Sequence, residues 1–528
     1  MFSSRPNRPD SGWLFDRLAI ALLVAMLTSC GSSSSPHSAA SPSPTRPENL
    51  DRHCDLAPYP SIEWTQCEAE NFAKQLVAPD EALLPAFLAR SAAQTSANIQ
   101  SWNDRALTDP SWLAPRSGNS LALPLCATWN SPCLGDPFRY PEAPGSDGSS
   151  FYSEQAEVVP VVFYDRDCAR ISGRVWRPKA TDSRRLPQVV ITNGSLQASE
   201  TMYWYLAQAL VRANYTVLTY DPRGQGRSDQ IAANGALGSN LDARVFWEGQ
   251  VDAIDFARSS PGLPHPYTAI CAGTYPTTVD PYNPQWAQVD LERLGIAGHS
   301  LGAIGVAVVQ GYGAPESDPW PGMLDTRNPV RAAVGLDSLI NPDGTAFAPV
   351  DNEPAPPELL GLIVQVGTQG TLPRFAPRIP SMNFSADYAL ASIVPYIAPP
   401  DPERHKQTLR TWQRAGVPFY SLTFQGTTHL DYSPTPLIPA TSWCPAPNSE
   451  ACQNGFGAPA ISYYTVAWFD RWLKVPGEVG YDDADMRLID DAGRDGAAKM
   501  SFRFRSARDF PDRTGRRQHC EDSRSGCD

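Results

Sequence analysis

Short apolar runs rich in β-branched residues recur between residues 157 and 475, and segments with helical periodicity separate them. Two of these runs, 158–164 and 169–178, predict an antiparallel opening pair of strands. The other predicted strands are 187–192, 215–221, 293–298, 331–337, 360–367 and 419–426, and the main predicted helices are 199–213, 243–260, 302–313 and 461–473. Alternation of this kind is typical of an α/β domain whose mostly parallel sheet is flanked by helices.

The segments on either side of the domain at 157–475 have a different pattern. Residues 48–156 begin with a predicted helix near 66–95 and continue as a Trp-, Pro- and Gly-rich stretch, which we expect to pack on the domain as an N-terminal extension. Residues 476–528 are interpreted as a solvated C-terminal tail rich in Asp and Arg. The Asp-rich run in this tail lacks the spacing of a calcium loop, so no metal is predicted.

The first 47 residues have the composition of a targeting segment. Arginines precede the apolar run 18–27, which is too short to span a bilayer and matches a secretory signal peptide at 1–29. The residues Leu-Thr-Ser-Cys that follow resemble a bacterial lipobox, so Cys30 is predicted to be lipidated, with the Ser/Pro-rich residues 30–47 as a tether. The alternative is an ordinary cleaved signal peptide followed by a chance cysteine. Both interpretations predict export, and the first predicts a lipid anchor at the bacterial cell envelope.

Cysteine usage and charge agree with export and narrow the partners. Ten cysteines remain when Cys30 is set aside, and an even number suits a disulfide framework in an oxidising compartment. Proximity in sequence suggests four pairs and leaves a fifth, without fixing the connectivity: Cys54–Cys67, Cys126–Cys133, Cys444–Cys452, Cys520–Cys527 and Cys168–Cys271. A net charge of −13 argues against a nucleic-acid partner.

The stretch GIAGHSLGAIGV at 295–306 places Ser300 between a predicted strand and a predicted helix. Gly298 and Gly302 have no Cβ atom, so the strand and the helix can approach closely around a strained residue. Such a turn raises the serine hydroxyl above the carboxyl edge of the sheet, at a helix N-terminus where free N–H groups converge. Ser300 is therefore the candidate nucleophile, with a chance Gly-x-Ser-x-Gly match as the alternative.

A serine nucleophile needs a base and a carboxylate that orients the base. Six of the seven histidines lie in tails, in a Pro-rich insertion, inside the serine turn or at a polar helix start: His37, His53, His519, His265, His299 and His405. His429 is left, just past the last predicted strand. Asp337 stands at the carboxyl end of strand 331–337 and is the predicted acid, although a capping role would also suit it. Asp387 and Asp401 are the substitutes.

Hydrolysis of an acyl group also needs two N–H groups that face the oxygen on which negative charge develops. Leu301 would supply one of them, as the residue after the candidate nucleophile. Ser195 would supply the other from the loop at 193–197, where Gly194 permits a tight turn.

These pieces together resemble the α/β-hydrolase superfamily. The matching stretches are GHSLG at 298–302, DPRGQGRSD at 221–229, NGS at 193–195 and GTTH at 426–429, and the candidate triad follows the chain order of that family. The placement of the acid is similar to that in platelet-activating-factor acetylhydrolases, and secreted lipases and polyester hydrolases are related. The sequence Asn-Gly at 193–194 departs from the usual His-Gly oxyanion motif.

The resemblance implies a serine hydrolase that cleaves carboxylic esters of small molecules, lipids or polymers through an acyl-enzyme, with no cofactor. Asp221 and Arg223 would brace the serine turn, and residues 202–205 (MYWY) would line an acyl pocket or belong to the core. The insertions 261–288 and 368–405 are expected to overhang the site. The rival functions are an acyltransferase with the same triad and a non-catalytic surface lipoprotein on the same scaffold.

Overall fold

Ten strands form one mixed sheet in the part of the chain that the structure describes. The structure is a computed structural model, and it describes residues 57–58, 61–67, 107–113, 151–179, 184–195, 199–238, 242–337, 339–343, 372–387, 402–424, 427, 429–433, 457–490, 500–501 and 503–527. The strands are β1 Ala156–Tyr164, β2 Arg170–Pro178, β3 Leu186–Thr192, β4 Thr216–Tyr220, β5 Val289–His299, β6 Val330–Leu336, β7 Ser381–Ser385, β8 Phe419–Thr423, β9 Ala507–Pro511 and β10 Arg517–Cys520.

The order across the sheet is β1-β2-β4-β3-β5-β6-β7-β8-β9-β10. The six central strands, β4, β3 and β5 to β8, run parallel to one another, while β2 is antiparallel to both β1 and β4. At the other edge β9 is antiparallel to β8 and to β10. The predicted α/β class, with a mostly parallel sheet and an antiparallel opening pair, is therefore confirmed.

Helices cover both faces of the sheet. They are α1 Trp204–Arg212, α2 Val245–Arg258, α3 Pro266–Ile270, α4 Leu301–Gly311, α5 Gln407–Arg414, α6 Gly457–Leu473 and α7 Ala484–Ile489. One apolar core joins α1 and α6 to the sheet, and a second joins α2 and α4 to the opposite face. Successive strand residues point to opposite faces, so Val189 belongs to the first core and Val190 to the second.

Two parts of the sheet differ from the prediction. Strand β7 lies inside the predicted insertion 368–405, whereas the predicted strand 360–367 is outside the described residues. The C-terminal segment adds β9 and β10 to the edge of the sheet, so it is not merely a solvated tail. Strand β9 pairs with β8 and buries Phe510 against the core, which gives this charged segment a structural role.

The described part of the N-terminal extension touches the beginning of β2. Ser111 accepts a hydrogen bond of 2.6 Å from the buried guanidinium of Arg170, and Asp109 lies 3.6 Å from the same group. Because Arg170 is fully buried, hydrogen bonds and opposite charges from these partners offset the free-energy cost of burying its guanidinium. Most of the helix predicted near 66–95 lies outside the described residues, as does Cys30 with its tether.

The insertion 261–288 packs along β1, at the edge of the sheet. Asp280 exchanges two hydrogen bonds with the backbone of Val162, and His265 donates from Nε2 to the carbonyl of Tyr164 at 2.8 Å. Since β1 is separated from β5 by three strands, the expectation that this insertion overhangs Ser300 is wrong.

Two of the predicted disulfides are present. Cys168 is bonded to Cys271, which ties the β1–β2 turn to the insertion 261–288, and Cys520 is bonded to Cys527 near the C-terminus. The other three predicted pairs each include residues outside the described ranges. In the part of the chain that the structure covers, no helix is long and apolar enough to cross a membrane.

Candidate functional site

Ser300 occupies a sharp turn between β5 and α4. Its backbone has a φ of 56°, in a region that residues other than glycine rarely adopt. A Cβ atom on Gly298 would come within 2.4 Å of the Gly302 carbonyl oxygen, and one on Gly302 would come equally close to the carbonyl oxygen of Thr192. Both glycines are therefore required by close backbone approach, as the sequence predicted. Strain of this kind concentrates at functional sites.

The imidazole of His429 is held by Asp337. His429 lies in a short turn after β8, and its Nδ1 hydrogen donates to Asp337 Oδ2 at 2.5 Å. Asp337 directly follows β6, also has a φ of 56°, and accepts a second hydrogen bond of 2.9 Å at Oδ1 from the backbone N–H of Ala386. Each oxygen of the carboxylate thus has its own donor, which fixes the orientation of the group.

These contacts also set the protonation of the pair. Burial by itself would raise the pKa of Asp337, but the hydrogen bond and charge of His429, with the Ala386 N–H group, outweigh it and lower the pKa. The carboxylate is therefore ionised at neutral pH. Because Nδ1 of His429 donates to the carboxylate, Nε2 is the ring nitrogen that is available to accept a further proton.

Ser300 lies beside this pair. Its backbone N–H donates to the carbonyl of Leu336 at 3.1 Å, and Leu336 immediately precedes Asp337. Within the described residues no hydrogen bond joins Ser300 Oγ to His429, and such a bond is often long in ligand-free sites and tightens when substrate binds. Ser300 follows β5, Asp337 follows β6 and His429 follows β8, so all three lie at the carboxyl edge of the parallel strands.

The loop after β3 lies directly on Ser300. A Cβ atom placed on Gly194 would be 3.1 Å from the Cβ of Ser300, so only glycine allows this approach without a shift. The N–H of Gly194 already donates to the hydroxyl of Tyr203 at 3.0 Å. Ser195, the next residue, and Leu301, in the first turn of α4 where N–H groups have no intrahelical acceptor, therefore stay the predicted oxyanion donors.

Asp221 anchors both ends of the loop after β3. Its Oδ1 accepts from the Asn193 side chain at 3.1 Å and from the Glu200 backbone at 2.7 Å, while Oδ2 accepts from the Arg227 backbone. Burial raises its pKa to about 6, against the opposing effect of these donors. Arg223 does not join this brace, because it pairs with carboxylates of the β1–β2 turn instead.

The MYWY stretch, predicted either to line an acyl pocket or to belong to the core, contributes two tyrosines that bond residues of the serine turn and of the His429 turn. All four residues are buried in the core, yet the Tyr203 hydroxyl contacts Nδ1 of His299 at 2.7 Å and the Tyr205 hydroxyl donates to the Tyr432 carbonyl at 3.1 Å. His299 Nε2 in turn bonds the carbonyl of His429 at 3.0 Å. The sequence did not predict the two tyrosine hydrogen bonds, because they join residues that are 96 and 227 positions apart.

Asp387, one of the two substitute acids, follows β7 at the carboxyl end of that strand. Its carboxylate accepts a hydrogen bond from Ser501 and makes no hydrogen bond with His429, and its backbone N–H donates to Thr427 Oγ1 at 3.3 Å. Asp337 is therefore the carboxylate that engages the histidine. Asp401, the other substitute, lies outside the described residues.

Comparison with known proteins adds no guide to this arrangement: no family model matches the chain, and no curated protein is significantly similar to it. Among the described residues, no group of three or more His, Cys, Asp and Glu side chains is arranged to hold a metal ion. The chemistry therefore has to be argued from Ser300, His429, Asp337 and the N–H groups around them.

Proposed function

We propose that this protein is a serine hydrolase of the α/β-hydrolase type that cleaves carboxylic esters through an acyl-enzyme. The observation that carries the proposal is the pairing of His429 with the ionised Asp337 beside a serine in a strained turn. A buried histidine, oriented by a carboxylate and presenting a free Nε2 next to a serine at a helix N-terminus, is the arrangement that nucleophilic acyl transfer needs.

The proposed reaction has two halves. Ser300 Oγ attacks the ester carbonyl carbon while His429 Nε2 takes the hydroxyl proton, and the same proton then goes to the departing alcohol. In the second half water attacks the acyl carbon and loses a proton to His429, which returns it to Ser300 Oγ as the bond between the acyl carbon and Oγ breaks and the acid leaves. Asp337 stabilises the imidazolium in each half, and the N–H groups of Leu301 and Ser195 receive the negative oxygen.

Hydrolysis of p-nitrophenyl esters of increasing acyl length tests this proposal. The mature chain is expected to turn over short- and medium-chain esters, and Ser300→Ala is expected to lose at least about 1,000-fold in kcat. Ser317→Ala is the matched control, because Ser317 lies just after α4 and bonds only the carbonyl of Ala314. The proposal would be contradicted by a folded wild-type chain that turns over no ester. It would also be contradicted by a Ser300→Ala variant that is as active as the control.

We also propose that the protein is exported and held at the bacterial cell envelope by lipid on Cys30. The two disulfides are compatible with export, and the Ser/Pro-rich tether after Cys30 would separate the domain from the membrane. Metabolic labelling with an alkyne fatty acid tests the anchor. Label is expected on the wild-type chain and not on Cys30→Ser, and an unlabelled chain in the aqueous phase of a detergent partition would contradict it.

A further inference from the structure

A continuous hydrogen-bond chain of three bonds links the loop after β3 to the loop that carries His429. It joins the Gly194 N–H to the Tyr203 hydroxyl at 3.0 Å, this hydroxyl to His299 Nδ1 at 2.7 Å, and His299 Nε2 to the carbonyl of His429 at 3.0 Å. The members come from the loop after β3, the turn before α1, the end of β5 and the loop after β8. All four are buried.

The direction of every bond in this chain is fixed by chemistry. The His429 carbonyl can only accept, so His299 Nε2 carries a proton. Burial, with the neighbouring His429, lowers the pKa of His299 well below its usual value, so the ring is neutral and Nδ1 is an acceptor. The Tyr203 hydroxyl must therefore donate to Nδ1, and its oxygen accepts from the Gly194 N–H and from the side chain of Ser433.

We propose that Tyr203 and His299 are positioning residues. They hold the loop after β3, which carries Ser195, and the loop that carries His429 in fixed positions relative to Ser300. The inference deepens the proposed ester hydrolysis and rests on it. Gly194 touches Ser300 and precedes the predicted donor Ser195, so a shift at Gly194 moves that donor. At the other end, the His429 carbonyl belongs to the residue whose ring is the base, and the rings of His299 and His429 lie 4.5 Å apart.

The hydrogen-bond chain positions the two loops only if all three of its bonds are present. Phenylalanine at 203 keeps the ring but removes the hydroxyl that bonds three buried groups, the Gly194 N–H, His299 Nδ1 and the Ser433 side chain. Each unsatisfied buried group costs about 1–3 kcal/mol, and movement of the loops to relieve it misplaces catalytic groups. Removing the Tyr203 hydroxyl is therefore expected to lower kcat by about 10- to 100-fold, with KM changed less than about threefold.

The experiment compares kcat and KM for Tyr203→Phe, His299→Leu, His299→Gln and the double variant Tyr203→Phe/His299→Leu. The double variant is expected to lose no more than the worse single variant, because either change breaks the same chain. His299→Gln keeps an amide donor for the His429 carbonyl and is expected to retain more activity than His299→Leu. Tyr215→Phe is the control, since Tyr215 is equally buried and gives its hydroxyl to Asp470, away from the site.

Each outcome separates this inference from the proposed function. A wild-type chain without esterase activity defeats the proposed function itself. An active wild type whose Tyr203→Phe variant keeps more than half of kcat, or loses no more than Tyr215→Phe does, overturns the positioning role alone. Should the variants fail to fold, ¹⁵N NMR of labelled histidine in the wild-type protein tests the proposal instead. A neutral His299 that is protonated at Nε2 supports the hydrogen-bond chain, and protonation at Nδ1 overturns it.

Discussion

Replacing Asp337 by asparagine is expected to disable the base without removing it. The Ala386 N–H requires an acceptor, so the asparagine oxygen must stay where Asp337 Oδ1 now lies. The asparagine NH₂ group then faces Nδ1 of His429, at the place of the present 2.5 Å contact. Nδ1 must become an acceptor, its proton moves to Nε2, and the ring can no longer accept the proton of Ser300. The reversed amide would set two buried donors against each other at Ala386.

The magnitude follows from the loss of the correct tautomer. In serine hydrolases an Asp-to-Asn change of this kind lowers kcat by about 10,000-fold while leaving the geometry intact, and we expect a loss of about 1,000- to 10,000-fold for Asp337→Asn. The assay is kcat for a p-nitrophenyl ester near pH 8, with thermal unfolding measured in parallel. Circular dichroism of the variant should match that of the wild type.

Asp387→Asn is the control, because Asp387 is a buried carboxylate at the end of the neighbouring strand. Its oxygen accepts from Ser501, a role that an asparagine oxygen can also fill, so kcat is expected to stay within about threefold of the wild type. An Asp337→Asn variant with more than a tenth of wild-type kcat would refute the tautomer reasoning. Loss of activity in Asp387→Asn alone would move the acid to that residue.

Three further predictions concern stability. Gly302→Ala is expected to unfold at lower temperature and lose activity, since its Cβ would lie 2.4 Å from the Thr192 oxygen, whereas Gly249→Ala in helix α2 meets no atom within 4 Å and should be neutral or stabilising in the same melting scan. Burial lowers the pKa of His265 to about 4. As the pH falls, His265 is therefore protonated in the unfolded chain before it is protonated in the folded protein. The folding stability that depends on neutral His265 is fully present above about pH 6.5 and is lost as the pH falls towards 4. The free energy of unfolding of His265→Gln, measured by urea titration, should depend less on pH across that range. The double variant Cys168→Ser/Cys271→Ser removes a link across 103 residues and is expected to lose about 2–5 kcal/mol in the free energy of unfolding by urea; no loss would show that the link is not formed.

The pattern of apolar residues made most of the central sheet predictable from the sequence. Strand β3 and the second half of β5 are mostly apolar and buried because helices cover both of their faces. The location of the three candidate residues was predictable for a related reason. Side chains that follow parallel strands lie at one edge of the sheet, so Ser300, Asp337 and His429 could be placed at the same edge from the sequence, and the structure shows the contact between Asp337 and His429.

The strands that the sequence did not predict lack the apolar pattern of buried strands. Strand β7 reads SMNFS, and its polar side chains are buried by specific hydrogen bonds, as for Asn383 with Ser385, which no hydropathy pattern reveals. Strand β10 lies at the edge of the sheet and carries the exposed Arg517, whereas β9 lies inside that edge and buries Arg508 and Asp509, so neither strand has an apolar pattern. The link between Tyr203 and His299 spans 96 residues, and it depends on a fold that has to exist first.

Identification of the residue that reacts with a fluorophosphonate tests the central claim most directly, because the reagent modifies only a serine that a neighbouring base activates. The wild-type chain is treated with the probe, digested and analysed by peptide mass spectrometry, with Ser300→Ala and Ser317→Ala treated alongside. We predict a single adduct on Ser300, retained in Ser317→Ala, absent from Ser300→Ala and formed far more slowly in Asp337→Asn. A folded wild-type chain that stays unmodified, or one that carries the adduct on another residue, would contradict the account.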